Sequence, residues 1–197
     1  MADYMLDTNL IAQIIFKLLP HKPPYILTMD RTNWKFGQTN INILTIGIAY
    51  QVFDFPLIYM LLPKRENSST QERFELMKRY IHLFGKETIA ELLADGELVR
   101  EQWLEYLNRE QICYHLRIKN NFWVIDPRKQ KRVKASHLFN RLSSNQTSYL
   151  KMIYSVSNQL CYLSASKIKK KYRPELHIIE SFSKPENAIE SYKQPGK

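Results

Sequence analysis

Leu27-Thr28-Met29-Asp30-Arg31-Thr32-Asn33-Trp34 and Leu92-Leu93-Ala94-Asp95-Gly96-Glu97 are the two stretches on which the fold turns. Each is an apolar run of strand type that carries one aspartate. Such a strand is a poor environment for a carboxylate unless the group is paired or meets a cation. Whether the two aspartates meet depends on the elements between them.

Tyr25 to Trp34 reads as a first strand, Phe36 to Asn40 as a turn around Gly37, Ile41 to Tyr50 as a second strand and Phe55 to Leu62 as a third. Ser69 with Glu72 forms a capping-box pattern at the start of a helix whose apolar line is Phe74, Met77, Ile81 and Phe84, and Gly85 stops it. Thr88 to Ala94 is a fourth strand. A second helix runs from about Glu97 to Arg109, with Val99, Trp103, Tyr106 and Leu107 on one face. Three strands, a helix and a fourth strand open a ribonuclease-H-like fold, in which strands one and four lie side by side. Asp30 and Asp95 would then meet, and two carboxylates supply the hard oxygen ligands that suit Mg²⁺.

Working outward, Leu10, Ile11, Ile14, Ile15, Leu18 and Leu19 recur at helical spacing behind the cap Asp7 or Thr8, and Pro20 ends the run. Residues 1–24 read as the remnant of an N-terminal helical region and 25–125 as the first part of the core. Ile41 to Leu62 approaches the length of a membrane span, but Asn42, Gln51, Asp54 and Pro56 interrupt it, and it reads as two strands around a turn. No membrane association is expected. Ile112 to Ile118 and Phe122 to Ile125 follow as strands around an Asn120-Asn121 turn. Residues 126–175 form a basic, strand-rich insertion with segments at Tyr149 to Val156 and Gln159 to Leu163. Residues 176–197 return to the core through a strand at His177 to Phe182 and the start of a helix at Pro185 to Tyr192.

The net charge of +10 is regional. Residues 1–110 hold 12 basic and 14 acidic side chains, whereas 111–175 hold 14 basic and 2 acidic ones. That imbalance favours a polyanionic partner, and phosphate-backbone contact is the expected role of Arg128, Lys129, Lys131, Arg132 and Lys134 and of the run through Lys169, Lys170 and Lys171. Cys113 and Cys161 are too few for a disulfide framework and have no metal-ligand spacing, so a reducing, cytoplasmic setting is expected. His115 and His137 are isolated, and Trp34, Trp103 and Trp123 read as core aromatics.

Asp30-Arg31-Thr32-Asn33-Trp34-Lys35-Phe36-Gly37 closely resembles the first-aspartate segment of the insertion-sequence-four group of DDE transposases. The resemblance continues through Leu61-Leu62-Pro63-Lys64-Arg65, Leu92-Leu93-Ala94-Asp95 with Trp103 following, and Tyr114-His115-Leu116-Arg117-Ile118 ahead of Phe122-Trp123-Val124, covering most of residues 20–194. It implies cut-and-paste DNA transposition, with Asp30 and Asp95 as catalytic metal ligands and two Mg²⁺ or Mn²⁺ ions in intact relatives. It also implies DNA partners, at transposon ends and target, and pairing with a second copy or a full-length relative, in a bacterial-type, nucleoid-associated location.

The family's second segment usually reads Asp-Arg-Glu, and here Gly96 takes the place of the Arg. Its third carboxylate lies in the helical pattern Y-x2-R-x3-E-x6-K. Tyr192 fits the opening Tyr, which adds it to the implied DNA contacts, but Pro195 stands where Arg is expected and Lys197 precedes the Glu. The expectation is a truncated copy, inactive alone, since rescue would require a Glu from elsewhere, for which Glu97 is the only nearby candidate; a non-enzymatic, DNA-binding or transposase-inhibiting fragment is the alternative.

Overall fold

A computed structural model describes residues 7–51, 53–62, 68–96, 100–171, 174–182 and 186–193. Helix α1 (Thr8–Lys17) is capped by Asp7, whose Oδ1 accepts from the amides of Asn9 and Leu10. Strands β1 (Tyr25–Phe36), β2 (Thr39–Tyr50) and β3 (Phe53–Leu62) form an antiparallel meander. Helix α2 (Thr70–Phe84) leads to β4 (Ile89–Asp95), which is followed by α3 (Glu101–Arg109) and β5 (Tyr114–Ile118). Then come β6 (Trp123–Asp126), β7 (Lys131–Lys134), the single-turn α4 (Ala135–Leu138), β8 (Gln146–Val156), β9 (Gln159–Ile168), β10 (Glu175–Ser181) and α5 (Ala188–Lys193). The apolar stretch from Ile41 to Leu62 is β2 and β3, and no helix among the described residues is long and apolar enough to cross a membrane.

All ten strands join one sheet in the order β3-β2-β1-β4-β5-β10-β9-β8-β6-β7. Only β1–β4 and β4–β5 are parallel; every other pair is antiparallel. The result is a mixed α/β architecture with a large, mostly antiparallel sheet and a few helices. Parallel neighbours need a crossover, which α2 and α3 supply.

Side chains alternate along each strand, and cross-strand partners share a face. Leu27 and Met29 on β1, Ile46 and Ile48 on β2, Leu92 and Ala94 on β4, and Tyr114 and Leu116 on β5 therefore point to one side. There they form the main core with Leu76, Met77 and Tyr80 of α2 and Trp103, Leu104 and Leu107 of α3. Each fully buried large apolar side chain contributes about 1.5–3 kcal/mol. On the opposite face, Ile179 of β10 packs with Ala188 and Ile189 of α5 as a separate small cluster.

Helix α2 begins where its capping box predicts, since the Ser69 hydroxyl accepts from the Glu72 amide and the Glu72 carboxylate accepts from the Ser69 amide. Its buried stripe is rotated from the expected one. Arg73, Leu76, Met77 and Tyr80 are the buried positions, while Phe74, Ile81 and Phe84 pack at the margin. Arg73 is tolerated inside because its guanidinium donates to Ser68 Oγ at 3.0 Å and to the Ser68 carbonyl at 2.6 Å.

Glu180 is buried more completely than any other carboxylate among the described residues. It pairs across β10 with Leu116 on one side and Leu163 on the other, is fully buried, and neither carboxyl oxygen has a hydrogen-bond partner. Burial pushes its carboxyl well above the ordinary range. The folded chain thus holds a proton that the unfolded chain releases, so stability is fullest below the ordinary carboxyl pKa and is lost as pH rises toward the raised one. Urea unfolding of the native chain between about pH 5 and pH 8 is expected to show a falling midpoint, and Glu180→Gln should flatten that fall. An unchanged slope in the variant would place the titration on another group.

Candidate functional site

The β1–β4 ladder runs from Ile26 opposite Glu91 to Met29 opposite Ala94, and one further step sets Asp30 beside Asp95. Alternation turns both away from the main core, and both are exposed. They line one cleft of about 510 Å³, together with Arg31, Arg117, Lys119 and Glu175. The Arg31 amide donates to Asp30 Oδ1 at 2.8 Å, which fixes that carboxylate against its own backbone.

Gly96 explains how β4 can end here. A Cβ at this position would lie 2.3 Å from the carbonyl oxygen of Arg117 and 3.1 Å from Ile118 Cα. Both obstacles are backbone, so no side chain fits while β4 and β5 keep their register, in which Asp95 pairs with Arg117. The glycine that departs from the resembled segment is thus what brings the β5 backbone alongside the end of β4.

Two carboxylates missed in the sequence lie close by. Glu175, at the start of β10, lines the cleft but is engaged by two cations and an imidazole: Arg117 Nη2 donates to it at 2.9 Å, Lys170 Nζ lies 3.4 Å away and His177 Nε2 2.9 Å away. The His177 imidazole, followed by Lys170, holds the Glu175 carboxyl below the usual carboxylate range. Asp54 on β3 accepts from Thr28 Oγ1, with its two oxygens 2.7 and 2.8 Å away. Burial raises its carboxyl pKa, and the nearby negative charge of Asp30 adds to the rise. Gly47, opposite Thr28, leaves room for that bond, since a Cβ there would meet Asp54 Oδ1 at 2.2 Å. An Asp inside the apolar run of β3 was the available sign for Asp54. Glu175 carries no sign in a basic stretch remote from both aspartates. Glu97 lies outside the described residues.

Asp30 and Asp95 would offer a cation two carboxylates and no closed cage. Mg²⁺ is commonly held by one or two carboxylates with water and substrate phosphate completing the shell, which Asp30 and Asp95 match in donor chemistry. Among the described residues no group of three His, Cys, Asp or Glu is close enough to hold a metal ion.

The basic residues separate into two groups. Lys169, Lys170 and Lys171 follow β9, and all three are exposed, with Lys170 reaching the cleft through Glu175. Arg128 and Lys129 lie in the β6–β7 turn, and Lys131, Arg132 and Lys134 are exposed on β7. Tyr192 lies in α5. Of the three tryptophans, Trp103 is fully buried as expected, but Trp34 is 60% and Trp123 46% exposed. Alternation marks a strand tryptophan as facing one side without saying which side is covered. His137 is exposed, whereas His115 is buried on the Asp30 face. Its Nε2 lies 2.5 Å from Glu91 Oε2 and its Nδ1 2.7 Å from Ser181 Oγ. Glu91 also accepts from Ser191 Oγ at 2.9 Å, so this network ties α5 to β4, β5 and β10.

No family model and no curated protein matches the sequence. Solved structures do, and one of them shows that this chain has a transposase-like fold. The chain resembles piggyBac transposase in a synaptic complex with hairpin DNA at a TM-score of 0.51 and 12% identity, over 89% of this chain and 38% of that one. It therefore spans well under half of the transposase that it matches. An Argonaute from Marinitoga piezophila in complex with 5′ OH guide RNA aligns at a TM-score of 0.35 and 12% identity, over 84% of this chain and 25% of that one, and carries no argument.

Gly96→Ala is expected to lower the stability of the chain by about 2–4 kcal/mol, because strand backbone must move to admit the methyl group. Chemical unfolding measures this, and a loss under about 0.5 kcal/mol would mean that the β4–β5 register is not held as described.

Proposed function

We propose that this chain is the catalytic-core portion of a DDE-type DNA transposase of the insertion-sequence-four group, in a form that holds DNA without cutting it unaided. The carrying observation is the meeting of Asp30 and Asp95 on parallel neighbouring strands within a β3-β2-β1-β4-β5 order, the arrangement expected of a ribonuclease-H-like core. The likeness to piggyBac transposase, described with hairpin DNA, supports the same class.

In this reading Asp30 and Asp95 are the metal-binding carboxylates, for Mg²⁺ or Mn²⁺. When bound, such an ion polarises the phosphoryl oxygen and lowers the pKa of attacking water. Arg117, beside Asp95 in the β4–β5 ladder, places positive charge on the wall where a phosphate would enter. Arg128, Lys129, Lys131, Arg132, Lys134, Lys169, Lys170 and Lys171 hold the nucleic-acid backbone, and Tyr192 on α5 adds a contact. Residues 126–175 serve as the basic insertion, and the working unit is a pair with a second copy or with a full-length relative.

A second reading has support of its own. A two-ion site needs a third carboxylate, and the described residues bring only Glu175 to the cleft, where Arg117, His177 and Lys170 neutralise it. Losing one preorganised group from such a site costs orders of magnitude in rate. A non-enzymatic fragment that occupies DNA, or that blocks a full-length relative by pairing with it, fits that charge arrangement.

Two measurements test the proposal. Mn²⁺ binding followed by electron paramagnetic resonance should show a site that Asp30→Ala and Asp95→Ala each abolish; binding unaltered in both would remove the carboxylates from any metal role. Supercoiled plasmid should be bound, with affinity falling steeply as salt rises, and should stay unnicked by the native chain. Nicking that Asp30→Ala removes would overturn the non-cutting form.

A further inference from the structure

A second surface lies away from the carboxylate cleft, on β6, β7 and β8. Trp123 pairs with Lys134 and Ile125 with Arg132 across β6–β7, and Ile125 pairs with Ser155 across β6–β8. These side chains therefore share one face, while Val124 and Val156 are buried on the other. Two cations converge on the exposed Trp123 ring: Arg132 Cζ stands 4.9 Å and Lys134 Nζ 5.8 Å from its centroid. Around it is a groove of about 610 Å³ whose other lining includes Asn121, Ser157 and Asn158.

The chemistry of this groove selects its occupant. An exposed indole offers a flat apolar plane, the paired cations offer charge for phosphate, and the Asn and Ser groups can exchange hydrogen bonds with a base edge. Exposed Tyr149, Ile153 and Leu160 extend the apolar surface on the same face, and it is the two cations gathered at the ring that favour a polyanion over a folded protein, whose interface cores are depleted in charge. Duplex DNA offers phosphates and base edges in its grooves, but its bases stay stacked on one another and leave no free plane for the indole. Single-stranded DNA offers both a free base plane and phosphates.

Register also relates this surface to the cleft. Asp95 pairs with Arg117, Arg117 with Ile179, and Ile179 with Ser164. Leu160 has the same parity as Ser164 on β9 and pairs with Ser155. Trp123 thus stands on the Asp30–Asp95 face of the sheet, five strand steps from β4, or roughly 24 Å along the sheet.

We infer that the Trp123 groove is a stacking site for an unpaired base of single-stranded DNA, with Arg132 and Lys134 on the adjoining phosphates. This rests on the DNA-binding reading above. The test is fluorescence anisotropy of the full chain with three labelled probes at one salt concentration: a thymidine oligonucleotide of about sixteen residues, its abasic counterpart and a duplex of equal length. Trp123→Ala should weaken thymidine binding about tenfold and leave the abasic strand and the duplex within about twofold, while Trp123→Phe keeps most of the affinity. In a Trp34→Phe background, the thymidine strand should quench indole emission and the abasic strand should not. Equal losses on all three probes, or no loss on the thymidine strand, overturn the stacking site while duplex binding persists. A native chain that binds none of the probes overturns the DNA reading as well.

Discussion

Parallel pairing between β1 and β4 is the constraint from which the rest of the molecule follows. Two strands that run the same way cannot be joined by a tight turn, so the chain first extends the sheet through β2 and β3 and then crosses back through α2 to enter β4. The register then decides chemistry. With Met29 opposite Ala94, the two aspartates follow on the same face, and the apolar residues before them turn toward α2 and α3. A slip of one residue would bury one carboxylate and expose part of the core. Packing and candidate chemistry are thus secured by one ladder.

The two faces of the sheet have different characters. Helices α2 and α3 cover one face with aliphatic and aromatic side chains, whereas the other carries Thr28, Asp30, Asp95, His115, Arg117 and the serines of β9 and β10. Among the described residues the short α5 covers part of that second face, through Ile179 and the Glu91–His115–Ser181 network. Polar groups there are linked in pairs rather than left to water, which keeps a mostly hydrophilic face ordered beside an open cleft.

Much of the first half was legible because its punctuation is local. Gly37, Gly85, Pro20 and the Ser69–Glu72 box mark ends that the structure reproduces within a few residues, and the meander, α2, β4 and α3 follow in the expected order. Other features depend on contacts that no local pattern records. Arg73 is buried because Ser68 receives it, and strand β7, being almost wholly charged, has no apolar alternation to announce it. The pairing of Asp30 with Asp95 was accessible from strand order. Asp54 left a sign as an Asp in an apolar run but no sign of its neighbours, and Glu175 left no sign at all, because their approach to the cleft is set by β3 and β10 lying where the whole sheet puts them.

An open sheet has two outer strands, here β3 and β7, each with backbone groups that no neighbour satisfies. The two are blunted differently. Strand β3 carries Pro56 and a register irregularity opposite Gly47, which interrupt the row of amides that another chain could join. Strand β7 is short and bears Lys131, Arg132 and Lys134, whose mutual repulsion discourages a second copy from adding itself in register. Those cations therefore discourage the chain from templating its own self-association when no polyanion covers them, and neutral side chains there would leave a strand free to recruit another.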